Sequence, residues 1–345
     1  MSLPRSIVCL LLILPAVLTG LGLLSAPACA APSELMPLAA QSLLLDGQFA
    51  GDRVVTVGER GHILISADQG RSWQQQPVPT RATLTSLFFV DSDLGFAAGH
   101  DGVILRSEDG GQSWQLVYAD PDDERPILDL WFHDRRRGFA VGAYGLLLTT
   151  GDSGRSWHAV EFSPASLTHE VDWGWDEGED EPLPIDFHLN QIAATPGGRL
   201  FIAAEAGNLY RSDDGARSWL ALPSPYVGSL YGVLPINEQS LLLYGLRGHL
   251  FRSDDAGMTW QELSTGVRST LYDAARLRDG RIVLVGQEGT VLFGADSRDR
   301  LTLLAQPGRR GIARVLELPD GALLLIGEQG ARRLALPDAA GGAKR

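Results

Sequence analysis

The chain has 345 residues, 44% of them hydrophobic and 21% charged, which is the composition of a soluble globular protein with material for a sizeable core. Forty glycines with few long apolar runs favour short strands and turns over helices. The formal net charge of −13, with Lys344 the only lysine, argues against nucleic-acid binding by phosphate neutralisation and against a polybasic membrane-surface protein.

The first predicted element is a targeting segment. Arg5 precedes an apolar stretch from Ile7 to Leu24, followed by small residues ending Ala28-Cys29-Ala30. This is the order of a secretory signal, with cleavage expected between Ala30 and Ala31. Retention as an anchor is the rival reading. Cys9 and Cys29 both fall in this segment, so the mature chain has no thiol for disulfides or thiolate metal sites. Its net charge is then −14. The segment Leu35 to Gln41 follows and is expected to supply the outer strand of the last repeat, closing a ring against Ala331–Leu336.

From there one pattern recurs: an apolar run, Gly-x-x-Gly, an apolar run, then Ser-x-Asp-x-Gly-x-Ser/Thr-Trp. The second glycine falls at Gly61, Gly102, Gly145, Gly207, Gly248, Gly289 and Gly330, at intervals of 41, 43, 62, 41, 41 and 41 residues. Seven copies at this period predict a single all-β domain over 31–345, a seven-bladed β-propeller of four-stranded blades. Innermost strands are expected at Leu84–Val90, Ile127–Phe132, Leu189–Ala194, Leu230–Pro235, Leu271–Leu277 and Ile312–Leu318. Second strands follow at stretches such as Gly95–Ala98 and Leu241–Tyr244, and a fourth follows each tryptophan.

The box after the third strand carries Asp68 and Trp73, Asp109 and Trp114, Asp152 and Trp157, Asp214 and Trp219, and Asp255 and Trp260. The sixth box, around Asp296, has Leu301 at the tryptophan position, and the seventh copy has none. The aspartate can accept backbone N–H groups within the turn, and the tryptophan can bury a broad face between blades. The carboxylate clusters that calcium needs are missing, so these residues are read as structural and no metal or cofactor is expected. The long interval places an acidic insertion at about 163–184, with Trp173 and Trp175 among its acids. It is either a solvated loop or a partner-binding flap.

Arg81, Arg125, Arg268 and Arg309 lie 21, 20, 21 and 21 residues before their blade's second glycine. Equivalent repeat positions sit in a ring, so these arginines, with Arg310, are expected near the channel mouth on the Gly-x-x-Gly face. They could bind carboxylate or phosphate, or pair with the junction acids Asp120, Asp122, Asp123 and Glu124. The turn tips Arg60, Asp101, Tyr144 and Arg247 vary within a constant framework, which is how a repeat scaffold carries specificity.

The boxes, the turns and the export signal together resemble the photosystem II stability/assembly factor family. The likeness is closest in Gly99-His100-Asp101-Gly102-Val103-Ile104-Leu105-Arg106-Ser107 and from Gly245 to Trp260. The resemblance implies a non-enzymatic scaffold, a monomer in the thylakoid lumen or the periplasm. It would hold a segment of a membrane or exported protein on an arginine-rich surface, matched here by Arg81, Arg125, Arg268, Arg309 and Arg310. Independently of the resemblance, the turn tips Arg60, Tyr144 and Arg247 and the insertion's Trp173 and Trp175 are expected to add partner contacts on the same face. The acidic insertion and the degenerate sixth and seventh boxes depart from the family pattern. The alternative is an Asp-box glycoside hydrolase. No nucleophile constellation is evident among the seven dispersed tyrosines, however, and the seven histidines show no metal spacing.

Overall fold

The computed structural model describes residues 31–120, 122–166, 186–294, 301–304 and 306–336. The expected signal segment, the insertion core with Trp173 and Trp175, and the box around Asp296 lie outside the described residues.

The apolar runs become seven antiparallel sheets in simple up-and-down order. The blades begin with Leu44–Ala50, Leu84–Phe89, Ile127–Phe132, Leu189–Ala194, Leu230–Pro235, Leu271–Arg276 and Ile312–Glu317. These first strands pack against one another around the axis and are innermost. Second strands such as Leu200–Ala204, Leu241–Gly245 and Leu323–Gly327 are buried at every position. Each lies between two neighbouring blades, so both faces must be apolar, and the sequence reads as a continuous run rather than an alternation. Strand bounds fall within a residue or so of those expected. The only helical elements among the described residues are seven single 3-10 turns.

Seven apolar clusters fill the seven blade junctions. Trp114, Trp157, Trp219, Trp260 and Trp73 each join the cluster between their own blade and the one before. The boxes beneath them share one hydrogen-bond pattern. In the third blade, Asp152 Oδ1 accepts the N–H groups of Arg155 and Ser156 at 3.0 Å, and Oδ2 accepts the Ser156 hydroxyl at 2.7 Å.

The channel wall carries a feature that the sequence reading did not single out. The third residue of each inner strand is Asp46, Ser86, Asp129, Gln191, Gly232, Asp273 and Arg314, one tier of seven equivalent positions. Five of these side chains accept a backbone N–H from the next blade: Asp46 from Leu87, Ser86 from Leu130, Asp129 from Ile192, Gln191 from Val233 and Asp273 from Val315. At Gly232 the Tyr244 hydroxyl occupies the space that a Cβ would take. Arg314 reaches both neighbours, Asp46 at 3.1 Å and Asp273 at 3.3 Å. The tier is therefore a chain of blade-to-blade clasps. A register shift accompanies it in every blade, the extra residue that re-aims a side chain inward.

Ring closure differs from the expectation. The last blade has three strands among the described residues, Ile312–Glu317, Leu323–Gly327 and Gly330–Leu334. The 35–41 segment pairs with none of them. Its Ala39–Gln41 turn instead abuts Gly330, where a Cβ would meet the Ala40 carbonyl oxygen at 1.9 Å. The connectors after blades one, four and five press on Gly61, Gly207 and Gly248 in the same way. Residues 39–43 are thus the connector into blade one rather than an outer strand of blade seven. The seam is held by side chains: an apolar cluster including Leu44, Leu64 and Leu324, the Arg314 bridges, and Arg333 Nη1 donating to Gln69 O at 2.6 Å.

Candidate protein-binding face

The Gly-x-x-Gly turns and the blade-to-blade connectors share one face, and the boxes lie on the other. In each of the first six turns the residue before the second glycine has a left-handed backbone: Arg60, Asp101, Tyr144, Ala206, Arg247 and Glu288, with φ from 51 to 59°. The second glycine also has positive φ, and at Gly61, Gly207 and Gly248 connector backbone fills the space of a Cβ, so those positions tolerate only glycine. The tip beside it points to solvent. Arg60 and Arg247 are exposed, and Tyr144 is 53% exposed with its ring edge-on to His188.

The arginines reach this face but do not form a ring at the channel mouth. On this face a cavity of about 320 Å³ at the inner strands of blades one, two, six and seven is lined mainly by apolar groups, Leu43, Leu45, Tyr272 and Ala313, with Glu328 also lining it. The arginines sit outside it, in the blade junctions, because the connector is still running inward from the previous outer strand. Four of the five are paired. Arg81 bonds Glu34 at 2.7 Å and Pro32 O at 2.9 Å. Arg125 bonds Asp123 at 2.6 Å and Tyr144 O at 3.2 Å. Arg309 pairs with Glu288, and Arg310 lies 3.9 Å from Glu328. Of the junction acids weighed as partners, only Asp123 is used. Arg268 has no acidic partner among the described residues. With Arg309 it lines a polar cavity of about 440 Å³ over the turn of blade six, between the connectors that enter and leave that blade.

The electrostatics of the two faces and the channel diverge. Asp152 and Asp214 are held down at about 2, each mainly by the backbone N–H and hydroxyl of the serine four residues on. In the channel, burial raises the carboxyls of Asp46, Asp129 and Asp273, and Asp129, also facing Asp46, is pushed up to about 7. Arg314 stays charged, held by Asp273 and Asp46. No group of three or more His, Cys, Asp or Glu side chains suited to a metal occurs among the described residues. The clasp residues lie sixteen residues before the second glycine, fifteen in blade one. That constant register was the available signal for them.

Two overlapping stretches, 65–234 and 107–299, match the model of the photosynthesis system II assembly factor YCF48 family. The chain belongs to this family. The fold is shared with the solved structure "YCF48 bound to D1 peptide", at TM-score 0.68 and 17% identity over 90% of this chain and 100% of that one. YCF48 from Cyanidioschyzon merolae superposes at TM-score 0.67 and 15% identity, covering 89% and 99%. The WD40 propeller domain of Doa1 gives 0.63 at 15% identity, so the backbone arrangement extends beyond the family. An uncharacterised protein of Bacillus subtilis, YkuO, is 33% identical over 70 residues, 20% of this chain and 23% of that protein.

Proposed function

We propose that this YCF48-family propeller is an exported, non-catalytic scaffold that binds an extended segment of a membrane or exported protein on its Gly-x-x-Gly face during complex assembly. The observation that carries the reading is the contrast on that face. A glycine framework presents tips of different chemistry, beside a cavity edged by the Arg309–Glu288 pair in which Arg268 is exposed with no ion-pair partner among the described residues. A guanidinium so placed suits a carboxylate or a carbonyl of a bound chain. The structure of YCF48 with a D1 peptide supports a peptide ligand. In a photosynthetic host the favoured partner is a reaction-centre precursor met in the thylakoid lumen. Otherwise it is an envelope complex met in the periplasm. The scaffold acts as a monomer and does not use nucleic acid.

The test is a pull-down from solubilised membranes with wild type and with Arg81, Arg125, Arg268 and Arg309 all changed to Glu. The expected result is loss of a membrane partner with an unchanged circular dichroism spectrum. Equal recovery by both proteins overturns the reading. The glycosidase alternative is excluded by no turnover of sialosides, β-glucans and aryl glycosides. It is restored if activity appears and one carboxylate substitution abolishes it.

A further inference from the structure

The stretch Pro32–Met36 lies on the first blade as a bound peptide would. A single side-chain amide reads its backbone in both directions: Gln75 Nε2 donates to Glu34 O at 2.8 Å, and Gln75 Oε1 accepts from Met36 N at 2.7 Å. Val78 closes a second pair, its carbonyl accepting Ser33 N and its N–H bonding Ser33 Oγ, both at 2.9 Å. Arg81 clamps the Glu34 carboxylate and the Pro32 carbonyl. No other blade has glutamine at the position of Gln75.

The segment fills this groove poorly. Leu35 is 64% exposed and Met36 38%, so little apolar area holds it down. A cavity of about 260 Å³ remains beneath it, lined by Glu34, Met36, Arg60, His62 and Arg81. His62 is 2% exposed, its Nδ1 bonds Ser42 Oγ at 2.8 Å, and its Nε2 has no partner. Arg60 makes no ion pair among the described residues. The exposed Arg60 guanidinium therefore lines the space beside the Met36 side chain without an acid to meet it, and a carboxylate placed there would gain a charged partner.

We propose that the outer edge of the first blade is a peptide-binding groove, that residues 32–36 are its built-in occupant, and that its ligand is an extended segment with one acidic residue at the Glu34 position and a second at the Met36 position. This deepens the scaffold reading above and rests on it for the partner, though not for the groove. Gln75 and Val78 hold any extended backbone, Arg81 takes the first carboxylate, and Arg60 takes the second. Tethering gives the native segment an effective concentration that masks the groove until a tighter segment displaces it.

The probe is a fluorescein-labelled peptide of residues 31–36, followed by fluorescence anisotropy. Three proteins are compared: the chain from Ala31, the chain from Pro37, and the chain from Ala31 with Glu34→Ala, which keeps the segment but releases its clamp. Both altered proteins should bind the peptide about tenfold more tightly than the chain from Ala31. The peptide carrying Met36→Glu should bind more tightly again, by about fivefold, and Arg81→Gln should lose about tenfold. If the chain from Pro37 keeps its fold and binds no peptide, or if the Glu34→Ala protein gains nothing, the groove is overturned. If Met36→Glu weakens binding, the second acidic position is overturned. Membrane pull-downs that recover no partner, alongside successful peptide titrations, refute the scaffold reading and leave the groove standing.

Discussion

Two aspartates in this chain titrate in opposite directions because one is surrounded by donors and the other by protein. Asp152 is held at about 2, so relative to an unfolded carboxyl near 3.8 it adds stability that is fully present above about pH 4 and is lost as pH falls through about 2. Asp152→Asn weakens the bonds to Ser156 and should cost about 1–2 kcal/mol at neutral pH and almost nothing near pH 2, measured by urea unfolding at both. Asp129 has the opposite sign. With a native value of about 7, it keeps a proton between about pH 4 and 7 that the unfolded chain has released. Stability from this group falls as pH rises through that window, and the loss is complete above it. Asp129→Asn should therefore be more stable than wild type near pH 8, by at most about 4 kcal/mol, and no different near pH 4. Coincident urea midpoints for the two proteins near pH 8 would remove the argument.

At the level of elements, the N-terminal segment divides at Pro37. Residues 32–36 lie on the surface of blade one, whereas 39–43 form the connector that presses on Gly330 and buries Ala39. A chain starting at Pro37 should melt within about 2 °C of the chain from Ala31, and a chain starting at Leu44 lower by about 5 °C or more, by differential scanning calorimetry. Equal losses would show that the surface segment is structural. The strands, the turns and the blade count were legible because each copy repeats the same apolar, glycine and tryptophan positions. The clasp tier was not, since Asp46, Asp129 or Asp273 alone reads as a stray polar residue in an apolar strand, and only registering the copies shows seven equivalents. The arginines were placed on the right face by the same register. Their partner Glu34 precedes the repeat, and Glu288 and Glu328 occupy the variable positions of the sixth and seventh turns, so the spacing could not show which guanidinium remains free.

Over the whole molecule, the seam between blades seven and one depends on a small set of groups. Arg314 is the one cation in the tier and offsets two of its three carboxyls. Arg314→Met leaves Asp46 and Asp273 enclosed without a counter-charge, and should destabilise by about 3–5 kcal/mol. Adding Asp46→Asn and Asp273→Asn should recover most of that loss. A triple variant no more stable than the single one would mean that Arg314 acts through packing instead. The seam also orders the way the chain folds. Every sheet is assembled from one contiguous stretch of the chain, and apart from the seam each blade touches only its neighbours, so most contacts can form within short loops at little entropic expense. The contacts across the seam are the exception, with Arg333 and Gln69 separated by 264 positions. Blades can therefore form one after another as the chain becomes available, while the ring stays open, with Leu44, Val54 and Leu64 uncovered, until the last blade docks. Docking of that blade is the step at which an incomplete chain would stall with an adhesive apolar edge.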